Sequence, residues 1–157
     1  MLTRLLQNRQ KRYIYRERKG NHRGFVICLG NSHFFNCWLG IGRGTNNFAK
    51  LVAVWALLYW LRRLRIISCK IFGDSRVVID WLLGKSIPKA SLLQHWCRRT
   101  LDLLNTMDLI SFEHVYKCFN KKVDLLSKRG LCCPVGHIYF EEHVDSVMVT
   151  EGNIWVF

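Results

Sequence analysis

Proline and acidic residues are both scarce in this chain, and each scarcity narrows what it can be. Proline occurs twice in 157 residues and half the residues are apolar, a composition that fits a folded body rather than a disordered one. Asp and Glu number 11 against 24 Lys and Arg, a formal charge of +13. An excess of that size favours a polyanionic partner, nucleic acid being the commonest; a solubility charge or basic tail is the plainer reading. No apolar run is long. Leu51 to Leu61 is closed by Arg62, Arg63 and Arg65, short of the roughly twenty residues a bilayer needs, so a buried core helix and no membrane partner are expected. A cysteine framework is missing too: the seven cysteines, at 28, 37, 69, 97, 118, 132 and 133, are odd in number and irregularly spaced. Free, mostly buried thiols in a reducing interior account for them better. Cys132 and Cys133 beside His137 are poorly spaced for zinc, since adjacent cysteines rarely supply two ligands and no second pair exists. Arg4, Arg9, Lys11 and Arg12 break up the N-terminus before any signal-peptide core, so an intracellular location is expected, nucleus or cytoplasm being left open.

What is present reads as one α/β domain, able to bury roughly two-thirds of its unfolded surface. Residues 12–16 alternate well enough for a short strand. Gly24 to Leu29 and His33 to Leu39 flank the turn residues Gly30-Asn31-Ser32 and predict a hairpin. Asn46 or Asn47 would cap a helix running to about Arg65, apolar on most sides and so central in the core. Ser68 to Phe72 is a strand pattern cut by Gly73, and Ser75 to Leu83 is helical with Gly84 as its stop. Ser91 to Met107 is an amphipathic helix, Leu109 to Tyr116 a strand, and Asn120 to Arg129 a basic helix. The order β-β-β-α-β-α-α-β-α argues a mixed sheet with helices packed on it. The tail from Gly136 ends in Ile154-Trp155-Val156-Phe157, able to pair as a strand but without a place assigned to it.

Three short runs stand out: Gly-Thr-Asn-Asn at 44–47, Gly-Asp-Ser at 73–75 and Asn-Lys-Lys-Val-Asp at 120–124. The first opens the apolar helix, the second ends a strand, and the third opens the basic helix. Together with Ile71-Phe-Gly-Asp-Ser-Arg-Val-Val-Ile-Asp80 and Phe112-Glu-His-Val-Tyr116, and in this order, they resemble the ribonuclease H type 1 domain in the variant common in plant retroelements. The similarity runs from about Lys19 to Leu131. It implies a ribonuclease H-like fold, a mixed five-stranded sheet with helices on both faces. It also implies three parts: a basic arm over 1–18 with a possible first strand, the ribonuclease H-like domain over 19–131, and a C-terminal extension over 132–157.

The activity implied is hydrolysis of the RNA strand of an RNA–DNA hybrid, with magnesium held by four acids. Two cations about 4 Å apart would neutralise charge building on the entering and leaving oxygens, and magnesium takes hard oxygen ligands. Carried over by the resemblance, Asp74 and Asp124 match two of the metal-binding acids and His114 the histidine near the end of the fifth strand. Thr45, Asn46 and Asn47 match the polar run that helps hold the hybrid backbone, with Lys50, Ser75 and Arg76 beside it. Lys50, however, stands where the central-helix Glu belongs, and Tyr15 where the first-strand Asp belongs. Replacing a carboxylate by an ammonium moves the site by two charges, and at 4 Å each unit pair is worth roughly 4 kcal/mol at an effective dielectric near 20. Magnesium is therefore expected to bind weakly or not at all, and catalysis to be impaired. Cations at Arg43, Lys50, Arg76, Arg98, Arg99, Lys117, Lys121 and Lys122 would border the cleft and grip phosphates instead.

Plainer readings exist for each residue. Asp74 would suit the start of a helix; Asp124 would pair with Lys121 or Lys128 on a solvated face; a strand histidine such as His114 is more often packed than catalytic. Two rival functions differ in class: a non-enzymatic scaffold that docks a protein through the aromatic C-terminal segment, and a decayed retroelement fragment with no selected role.

Overall fold

The computed structural model describes residues 11–16, 22–116, 126, 129 and 133–157; the Asn120–Arg129 run, and Asp124 with it, otherwise lies outside the described residues. Strand β1 (Lys11–Arg16) runs antiparallel to β2 (His22–Cys28), and β2 antiparallel to β3 (His33–Gly40). The chain then crosses through helix α1 (Asn46–Arg63) to β4 (Ser68–Gly73), which lies parallel to β1 on its other side. Helices α2 (Arg76–Leu82) and α3 (Ser91–Leu104) lead to β5 (Leu109–His114), parallel to β4. The expected five strands are thus present in the order β5-β4-β1-β2-β3.

The sheet does not stop at five. β6 (His137–Val144) pairs antiparallel with β3, and β7 (Val147–Trp155) with β6, so the sheet has seven strands. The tail, for which the sequence offers no place, therefore extends the sheet beyond β3. Its turn is Asp145-Ser146, both at positive φ (49° and 68°), the backbone that a two-residue hairpin requires and that usually recruits Asn-Gly. Gly40 lets the incoming chain approach closely, because a Cβ there would collide with the Pro134 carbonyl oxygen. The Gly136 amide donates to Gly40 O at 2.9 Å.

Alternation along the strands sorts the two faces. Phe25, Ile27, Phe35, Cys37 and Leu39 point to the face covered by α1, α2 and α3, where Leu51, Leu57, Leu58, Leu61, Val78 and Trp96 meet them. Val26, Cys28, Phe34 and Trp38 point the other way and pack with Leu126. Leu126 and Arg129 are helical, and the Arg129 guanidinium lies 5.4 Å from the Trp38 ring centre and donates to Glu141 Oε1 at 2.6 Å. Helical residues therefore cover both faces. α1 is buried around most of its circumference, as its all-round apolar pattern predicts. Its N-cap is Thr45 rather than either asparagine: the Thr45 hydroxyl accepts from Phe48 N at 3.2 Å. Burial pushes the Cys37 thiol well up and that of Cys69 up to about 12, as suits inert core cysteines. Among the described residues no helix is long and apolar enough to cross a membrane.

Candidate functional site

Strand direction gathers the candidate residues at one end of the sheet. β1, β4 and β5 are mutually parallel, and β3, two antiparallel steps from β1, runs the same way. Their C-terminal ends, together with the start of β2, share one edge. The register gives the row: His114 beside Gly73, Gly73 beside Tyr15, and Tyr15 beside Phe25. Asp74 follows Gly73 directly, and α1 begins shortly after β3 ends at the same edge. Crevices at the carboxyl ends of strands in open α/β sheets are where ligands commonly bind.

Asp74 is buried (8% exposed) where β4 gives way to α2. Ser75, not Asp74, is the N-cap of α2, its Oγ accepting from Val78 N at 3.4 Å; Asp74 directly precedes it, at the end of the helix that favours an acid. Ser75 is itself buried, so its hydroxyl serves the helix, while Arg76 is exposed one residue on. Val115 N donates to Gly73 O at 2.9 Å and carries the β5 end across to β4. His114 there is half-buried, its ring centre 5.7 Å from that of the exposed Tyr116 at an interplanar angle of 80°. Asp124 lies outside the described residues, as do Lys117, Lys121 and Lys122.

The start of α1 supplies the polar run. Thr45 and Asn46 are exposed and Asn47 half-buried. Asn46 Oδ1 accepts from Arg23 Nη2 at 2.9 Å. Arg23, from the first residues of β2, is only 1% exposed; nothing in the basic segment around it marks it as a site residue in the sequence. Lys50, in the second turn of α1, is buried as well (7% exposed), and the first turn contains no acid. Buried ammonium and guanidinium groups cost several kcal/mol unless paired, and a cation near a helix N-terminus also opposes the macrodipole. Two such groups lie near one helix start, with the buried Asp74 carboxyl at the same strand end. Arg43 and Arg98 are exposed; Arg99, expected at this cleft, instead stacks on Trp55 and Trp96 between α1 and α3.

Whether ions would suit this edge depends on its donors. The ribonuclease H resemblance implies four acids; Asp74 stands at one such place and Lys50 at another. Among the described residues no three His, Cys, Asp or Glu side chains gather as a metal site. The described donors alone do not supply a pair of magnesium ions, and Asp124 lies outside them.

Comparison with known proteins matches the fold. A family model described as reverse transcriptase-like matches residues 15–130. The crystal structure of RNase H1 from the halophilic archaeon Halobacterium salinarum is similar at 26% identity and a TM-score of 0.71, over 78% of this chain and 97% of that one. The N-terminal RNase H domain of a Mycobacterium tuberculosis protein matches at 20% identity and a TM-score of 0.65, over 78% and 94%. LC11-RNase H1, isolated from compost and crystallised with an RNA/DNA hybrid, matches at 17% identity and a TM-score of 0.66, over 78% and 96%. The last two share the fold. A comparison with curated protein sequences gave no match. The chain carries an RNase H-like domain and belongs to the reverse transcriptase-like family.

Proposed function

We propose that this protein binds the backbone of RNA–DNA hybrid or RNA at the shared strand end, and that two-metal cleavage is impaired. The observation carrying the proposal is Lys50, buried in the second turn of α1 with no acid in the turn before it. In this reading the Lys50 ammonium neutralises carboxylate charge in place of divalent ions. Thr45, Asn46, Asn47 and Arg76 contact phosphates, with Arg23 bracing Asn46 from below. Asp74 and Asp124 are the retained acids, able to hold at most one weak magnesium, and His114 is the nearest proton carrier. The similarity to a fold crystallised around an RNA/DNA hybrid supports the substrate class. The 2′-hydroxyls of A-form-like helices would distinguish RNA-containing duplexes from DNA.

A labelled RNA–DNA hybrid incubated with the protein in magnesium or manganese tests this. Binding without turnover is expected, with affinity falling steeply as salt rises. Robust turnover that disappears in Asp74→Asn would overturn the claim of impairment.

A second reading, a protein-docking scaffold, is favoured by β7 alone, an edge strand on which Val147, Met148, Val149 and Trp155 are exposed. Docking through apolar area would persist in high salt, whereas phosphate contacts fade.

A further inference from the structure

At the far end of α1 from Asn46, a groove of about 690 Å³ opens between α1 and α3, lined by Trp55, Tyr59, Arg62, Arg63, Arg99 and Asp102 among others. Arg62 is sixteen residues along the helix from Asn46, about 24 Å at 1.5 Å per residue, so this groove is separate from the strand-end site. The Arg99 guanidinium lies 4.7 Å from the Trp55 ring centre and 4.5 Å from that of Trp96. Held on two indoles, it is oriented before any ligand arrives. The Trp55 and Tyr59 rings stack with centres 5.5 Å apart at 28°. Arg62 and Arg63 are exposed. Among the described residues none of the three arginines makes an ion pair or a side-chain hydrogen bond, although Asp102 lines the same groove.

Helix capping explains part of this. Arg62 and Arg63 close α1, where cations favour the macrodipole. It does not explain Arg99, which comes from α3 and faces them across the groove. Three guanidinium groups left without carboxylate partners beside an aromatic wall match phosphates with adjacent planar bases. A groove between helices packed roughly 8–10 Å apart admits a single strand rather than a duplex.

We propose that the α1–α3 groove is a second nucleic-acid site that holds single-stranded RNA or DNA, with phosphates on Arg62, Arg63 and Arg99 and a base against Tyr59. The proposal rests on the nucleic-acid reading of the strand end and adds a separate contact to it. The strand would run past the far end of α1, so the protein could hold a duplex and an emerging single strand at once.

The test is fluorescence anisotropy with the full chain, using a labelled oligouridine and an RNA–DNA hybrid of equal length, over about 50–200 mM salt. The variant Arg62→Glu/Arg63→Glu changes only exposed side chains; circular dichroism checks its fold. Its single-strand affinity should fall about tenfold or more and its salt slope should flatten by about 1.4, for two lost contacts, while hybrid binding changes little. Lys85→Glu/Lys89→Glu, equally exposed and equal in charge change, should spare single-strand binding. Equal losses in the two double variants, or an unchanged affinity in Arg62→Glu/Arg63→Glu, would overturn the proposal. Hybrid binding without any single-strand binding would defeat this site alone. Failure to bind either would defeat the strand-end reading as well.

Discussion

In the proposed reading Lys50 and Arg23 set the site's electrostatics, and they differ in how they reach it. Lys50 comes from the helix whose start is marked by Gly44-Thr-Asn-Asn, so its position was legible once the helix was. Arg23 was not legible: it sits at the beginning of a strand, in a basic stretch whose pattern looks like a linker, and only the register of β2 against β3 turns it inward beside α1. The identity of the caps was hidden for a related reason. Thr45 and Asn46 are both good caps, and only the fold assigns the cap to Thr45 and leaves Asn46 to Arg23. A hydrogen bond from a charged, buried donor is worth roughly 1.5–3 kcal/mol, and truncation also removes the packed stem. Arg23→Ala should therefore destabilise the protein by about 2–4 kcal/mol in urea denaturation and weaken hybrid binding, because Asn46 loses its brace.

Among the elements, the β6–β7 hairpin departs furthest from what the sequence suggests. Only the ending Ile154-Trp155-Val156-Phe157 reads as able to pair; Asp145-Ser146 carries no glycine to announce the turn, and the alternation of β6 is blurred by Glu141-Glu142. Those two acids make sense only against their neighbours. Glu142 meets His33 at 2.6 Å, and Glu141 accepts from Arg129 at 2.6 Å and from His143 at 3.3 Å. Partial burial pushes the Glu141 carboxyl up, but His143 and Arg129 together pull it below its ordinary value of 4.5. A carboxylate lowered in the folded state stabilises the fold above its unfolded pKa, and that contribution disappears as pH falls through the folded value. The native protein should thus lose stability as pH drops below about 4.5. Glu141→Gln should be less stable at neutral pH and show a shallower loss over the same acid range, as read by urea midpoints at several pH values. An unchanged acid slope in Glu141→Gln would show that the Arg129 and His143 contacts carry no such linkage.

At the scale of the whole molecule, a charge of +13 works in the same direction as the proposed phosphate contacts at the strand end. In the proposed reading the long-range field would draw polyanions in, and contacts at the edge would fix them. Arg76→Ala should weaken hybrid binding about equally for all sequences and reduce the salt slope by about 0.9, the share of one phosphate contact; a preserved slope would remove Arg76 from the interface. The fold class was legible because the order of strands and helices and the three polar runs agree with one another. The sheet's sixth and seventh strands were not, since a fold resemblance ending near Leu131 carries no information on the residues beyond it. The central claim is that a lysine occupies the place of a metal-binding acid, and titration calorimetry of manganese into the native protein and into Tyr15→Asp/Lys50→Glu tests it most directly. The account predicts weak or undetectable binding to the native chain and an affinity higher by about a hundredfold or more in the double variant, given roughly 4 kcal/mol per close charge pair. Equal affinities in the two proteins, or tight binding by the native chain, would contradict it.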